Sequence, residues 1–88
     1  MAQLKSIPVP IEGIHVRELG ETIIIINEKG DELHTLDETG SFIWKAIDGV
    51  SSMSDILEKL CSEYDVERSR AENDLRIFLT HLNEKKLI

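Results

Sequence analysis

The periodicity of the chain changes once, between Leu36 and Asp37, and that change constrains the fold more than any other feature. Before it, apolar residues alternate or run in short β-branched blocks; after it, they recur at three- and four-residue spacing. A sheet followed by helices is therefore the layout to expect. Asp37 follows the last strand residue, where its carboxylate can accept from the free amides of a new helix, and Gly49 can take the left-handed conformation that stops it. That leaves a helix of about three turns. Phe42, Ile43, Ala46 and Ile47, with Trp44 beside them, give it an apolar surface, and Gly40 lets another backbone come close. These side chains read as core, and none can do acid–base or nucleophilic chemistry.

Upstream of the switch, Ile14 to Leu19 places Ile14 and Val16 on one face and His15 and Arg17 on the other, as a half-buried strand would. Gly20-Glu21 reads as a tight turn. Thr22 to Ile26 holds four consecutive isoleucines, a run too short for a helix and suited to a central strand with both faces at least partly covered. Asn27 to Gly30 supplies the next turn, and Asp31 to Leu36 the third strand. Three strands with two short connections form an antiparallel meander, the second strand in the middle and the third with an open edge. The segment 1–13 carries Pro8 and Pro10 and reads as an extended arm lying across the sheet or partly loose.

Downstream, Ser52-Met53-Ser54-Asp55 has the form of a capping box. Met53, Ile56, Leu57, Leu60, Cys61 and Tyr64 follow on one helical stripe, so Cys61 is expected as a buried apolar thiol. The last helix is expected from about Ser69, with Glu72 completing a second box, to about Lys85. Ala71, Leu75, Phe78 and Leu82 form its stripe with Leu79 on one flank, and Leu87 and Ile88 pack back on the domain. Ile77 falls about 120° from the stripe centre, on the side of Arg70, Asp74 and His81. It is either a lone exposed apolar residue or, with Asp74, part of a groove.

The 88 residues suffice for one domain with one modest core. A net charge of −7 opposes a nucleic-acid partner and favours a basic or neutral one. One cysteine excludes an internal disulfide and fits a reducing cytoplasm, and no apolar run approaches a membrane span. His15, His34 and His81 lack the spacing of a metal face. Ser51, Ser52 and Ser54 are explained by capping rather than nucleophilic catalysis. Neither metal, cofactor nor enzymatic activity is expected. Three strands and three helices can also build a winged helix, whose usual partner is DNA. Arg68, Arg70, Arg76, Lys85 and Lys86 are, however, spread around the last helix and interleaved with acids. An open strand edge beside an amphipathic helix can instead take an extended peptide as an added strand, and the acidity of the chain favours one carrying Lys or Arg.

The run Leu36-Asp37-Glu38-Thr39-Gly40 with Ile43-Trp44, then Asp48-Gly49, Ser52-Met53, Ile56, Leu60, Tyr64-Asp65-Val66, Asp74-Leu75, Phe78-Leu79, Leu82 and Leu87-Ile88, resembles the PqqD family. The resemblance implies an α+β, winged-helix-like fold of three antiparallel strands and three helices. It also implies a non-catalytic adaptor that binds the leader segment of a ribosomally made precursor peptide and presents it to a modifying enzyme. That enzyme would be a radical SAM enzyme, or a leader peptidase in a lasso-peptide pathway; quinone-cofactor (PQQ) and radical-modified peptide pathways are the other settings. The leader would add to the third strand, Glu32, Leu33, His34, Thr35 and Leu36, beside Arg70, Asp74, Ile77, Phe78 and His81 of the last helix, with Asp74 meeting a basic leader residue. A monomer or a homodimer, without nucleic acid or membrane, is implied. The family usually has Gly just before its terminal apolar pair, where this chain has Lys86.

Overall fold

The computed structural model describes residues 5–88, so the first four residues of the expected arm lie outside the described residues. Three strands, β1 (His15–Leu19), β2 (Thr22–Ile26) and β3 (Leu33–Leu36), precede three helices, α1 (Glu38–Ala46), α2 (Met53–Glu63) and α3 (Arg68–Glu84). The sheet is antiparallel in the order β1-β2-β3, with Val16 opposite Ile25 and Ile25 opposite His34. Register partners share a face. Ile23 and Ile25 therefore point to the helices with Val16, Glu18, His34 and Leu36, while Ile24, Ile26, Leu33 and Thr35 point away. Ile23 and Ile25 are fully buried, and Ile24 and Ile26 half-buried, as a central strand requires.

The core joins these isoleucines to Ile43, Trp44 and Ile47 of the α1 region, Met53, Ile56, Leu57 and Leu60 of α2, and Ala71, Leu75, Leu79 and Leu82 of α3, closed by Leu87. Each buried Ile, Leu or Met among them contributes about 1.5–3 kcal/mol by leaving water. Cys61 and Tyr64 are only half-buried at the end of the α2 stripe. Two capping expectations are met: Asp37 Oδ1 accepts from Gly40 N at 2.7 Å, and Ser52 and Asp55 form a reciprocal box.

Several boundaries and faces differ from the sequence reading. β1 is exposed along its whole length, with Val16 45 % exposed, because α1 lies across β2 and β3 and leaves β1 overhanging. β3 starts at Leu33, since the Asn27 side chain takes the Asp31 and Glu32 amides (3.1 and 3.2 Å) into the turn. α1 ends at Ala46: Ile47 turns extended and into the core, and Gly49 spends its positive φ within an Asp48 turn that holds Val50 N and Ser51 N. These two backbone amides also hold the Asp48 carboxyl below its usual range. α3 begins at Arg68 without a side-chain cap, as Glu72 turns to Arg76 at 3.2 Å instead of back to Ser69. Its buried stripe is centred on Leu75 and Leu79, with Phe78 on the flank rather than in the middle.

Ser6 O accepts from Met53 N (2.8 Å), and Ile11 N donates to Leu87 O (3.0 Å), tying the arm to the start of α2 and the end of the chain. The end of α3 is a Schellman turn: Leu87 N donates to Leu82 O and Lys86 N to Asn83 O, with Lys86 at φ 60 where glycine is the easy choice. Leu87 is thereby buried and Ile88 half-buried.

Candidate functional site

The ladder alternation decides which backbone groups β3 offers. Asn27 N donates to Glu32 O (3.1 Å), so the pair Asn27–Glu32 is of the hydrogen-bonded kind, and in this register Ile25–His34 and Ile23–Leu36 are too. The intervening residues, Leu33 and Thr35, therefore turn their N–H and C=O groups to the free edge. At the last pair a side chain enters the ladder. Ser41 Oγ, from α1, accepts from Ile23 N (2.9 Å) and donates to Leu36 O (3.3 Å), and Ser41 is buried.

Two anchor points place α3 beside this edge. Near the C-terminal end of β3, the Phe78 ring lies against Gly40. Near its N-terminal end, an open cleft of about 890 Å³ is lined by Asp31 and Glu32 on one side and Asn83, Glu84, Lys85 and Lys86 on the other, over Ile11 and Ile88. β3 and the second half of α3 thus run alongside each other in opposite directions, with a groove between them.

The flank of α3 turned to the groove follows from Phe78. At about 100° per residue, Phe78, Asp74, His81 and Arg70 stand roughly 60, 100, 120 and 140° from Leu75 in the same sense. The opposite flank is occupied: Glu72 pairs with Arg76, and Ser6, Ile7 and Pro8 of the arm enclose a cavity of about 370 Å³ against Leu79, Thr80 and Asn83. The fold therefore puts Phe78, Asp74, His81 and Arg70 on the side of the free strand edge. Ile77 stands about 160° from Leu75 and is 48 % exposed, at the outer limit of that flank. On the strand, His34 and Leu36 face the groove half-buried, Leu33 and Thr35 face outward and are exposed, and exposed Glu32 brings its carboxylate within 3.3 Å of His34 Nε2.

Mixed charge characterises the groove rim, with Asp31, Glu32, Asp74 and Glu84 against Arg70, Lys85 and Lys86. Among the described residues no three His, Cys, Asp or Glu side chains are close enough to hold a metal ion, and no helix is long and apolar enough to cross a membrane. Along the groove, the free β3 edge offers hydrogen bonding, and Phe78, Asp74, His81 and Arg70 offer packing and charge. Away from it, partial burial and the neighbouring Glu38 carboxylate push the Tyr64 phenol up, while the ring stacks edge-on to Phe42 at 5.5 Å.

Sequence reasoning missed Ser41, the arm's role in covering one flank, and the cleft formed by Lys85, Lys86 and Ile11. Ser41 alone carried a signal, being a polar residue three positions before Trp44 on the buried face of α1. The other two depend on where the chain ends meet.

Two solved structures resemble this fold over nearly its full length. One is TbiB1 in complex with the TbiA(beta) leader peptide, at a TM-score of 0.85 and 26% identity, covering 91% of this chain and 93% of that one. The other is lasso peptide synthetase B1 complexed with the leader peptide, at a TM-score of 0.80 and 27% identity, covering 89% and 92%. None of the curated proteins matches the chain. The family described as coenzyme PQQ synthesis protein D matches residues 22–88, from the start of β2 through the buried Leu87 to the chain's last residue, and the chain belongs to this PqqD family.

Proposed function

We propose that this chain is a non-catalytic adaptor that takes the leader segment of a ribosomally made precursor peptide as a fourth strand on β3, beside α3, and presents it to a separate modifying enzyme. The observation that carries the reading is the free β3 edge, where Leu33 and Thr35 offer backbone donors and acceptors next to an uncovered helix flank. Main-chain bonds supply affinity for any extended peptide, and the flank with Phe78, Asp74 and His81 selects among side chains. Similarity to two structures that hold a leader peptide supports the same reading. The other free edge, β1, is exposed along its whole length, and there Glu18 is tied to Lys45 of α1 at 2.6 Å. Tethering raises the effective concentration of the peptide at the partner enzyme, a radical SAM enzyme or a leader peptidase, without a chemical step by the adaptor. A DNA-binding reading is disfavoured by the net charge of −7 and by the pairing of Arg76 with Glu72.

The test is an amide chemical-shift titration of the labelled chain with a synthetic leader from a precursor encoded beside this gene. Shifts concentrated in residues 32–36 and along 70–81 are expected. Binding that moves β1 or the α2 surface and leaves β3 unmoved overturns strand addition.

A further inference from the structure

One polar group of the groove is buried without a partner. The His34 side chain is 15 % exposed, and its Nε2 is sealed from solvent with no hydrogen bond. Glu32 Oε2 comes within 3.3 Å but outside hydrogen-bonding geometry. Folded proteins leave few such groups unsatisfied, and those they keep call for a specific explanation, of which completion by a ligand is one.

The position of His34 makes a ligand the fitting explanation. Its backbone bonds point to Ile25, so on its free side it occupies a non-hydrogen-bonded position. There, paired strands bring their side chains closest, with Cα atoms about 4.5 Å apart. A strand laid antiparallel to β3 sets one groove-facing side chain against the imidazole.

Resting on the leader-binding reading, we propose that His34 is a specificity-determining residue whose Nε2 hydrogen-bonds a Ser or Thr hydroxyl of the bound leader. A hydroxyl both donates and accepts, so it can partner Nε2 whether or not that nitrogen carries the proton, and it is short enough for the close spacing. A carboxylate would be repelled by Glu32, a Lys or Arg is too long for the close spacing and would be drawn to the Glu32 carboxylate rather than to Nε2, and an apolar side chain would leave Nε2 unpartnered.

The test uses the synthetic leader and versions in which each Ser is replaced by Ala or each Thr by Val, titrated calorimetrically into the unaltered chain and into His34→Leu. One replacement is expected to weaken binding to the unaltered chain about tenfold and to have no effect in His34→Leu. His34→Gln, which keeps a hydrogen-bonding side chain, retains part of the dependence. In the unaltered chain, the imidazole nitrogen resonances of His34 move with the original leader and stay in place with the version lacking that hydroxyl. Leader binding in which no hydroxyl matters, or matters equally in His34→Leu, overturns the inference and leaves leader binding standing; so does a bound stretch without Ser or Thr. Failure of the unaltered chain to bind the leader overturns both.

Discussion

The Phe78 ring sits over Gly40 so closely that a Cβ on the glycine would stand 3.0 Å from Cε1 and 3.4 Å from Cζ. This contact brings α3 to the point where β3 gives way to α1, and so closes one end of the groove. Gly40→Ala should gain about 1 kcal/mol of helix propensity and lose more to overpacking against the ring and against Asp37 Oδ1, also at 3.0 Å. The expected net loss is about 1 kcal/mol by urea denaturation. Adding Phe78→Leu should relieve it, so that the double variant is more stable than the sum of the single effects.

Ser41 bridges two strands from within a helix. Ser41→Ala leaves Ile23 N and Leu36 O buried without that partner, and a loss of about 2 kcal/mol is expected. Hydrogen exchange at the Ile23 amide should accelerate more than exchange at Ile25, whose ladder bond to His34 is untouched.

Thr35 and His34 are neighbours with opposite backbone duties. Thr35→Pro removes an amide that faces the free edge, so the fold should survive while leader affinity falls. His34→Pro removes an amide given to β2 and should cost about 3 kcal/mol or more of stability. Thermal melts and leader titrations of the two variants separate these outcomes. Equal stability loss in both would mean that the His34 and Thr35 amides do not face opposite sides of β3.

Asp74 stands on the groove flank and is exposed in the free chain. Asp74→Arg should weaken a leader carrying Lys or Arg by about 1 kcal/mol, with the loss growing as salt is lowered. Unchanged affinity would remove Asp74 from the site.

Lys86 holds φ 60 at the end of α3. Lys86→Gly relieves the left-handed strain that a side chain feels there, against the greater freedom of glycine in the unfolded chain. A gain of about 0.5–1 kcal/mol is expected by thermal or urea melts, without effect on the β3 edge.

The sequence by itself determined the order and type of the elements, the central place of the isoleucine strand, the Asp37 cap and the Ser52–Asp55 box, and the identity of most core residues. All of these follow from local chemistry: β-branched runs, apolar spacing, and side chains that reach amides two or three residues away. The tertiary structure decided what depends on distant segments meeting. β1 is exposed because α1 lies over its neighbours, β3 begins late because Asn27 captures two amides, and Phe78 leaves the centre of its stripe to rest on Gly40. The choice of groove flank is the clearest case. Arg70, Asp74 and His81 were legible as one side of a helix, yet only the arm, fastened at Met53 and Leu87, covers the other side and leaves theirs open. His34 alternates onto the inner face by simple period-two counting; that its Nε2 would be sealed and unpartnered there depends on the surrounding packing, which no local pattern encodes.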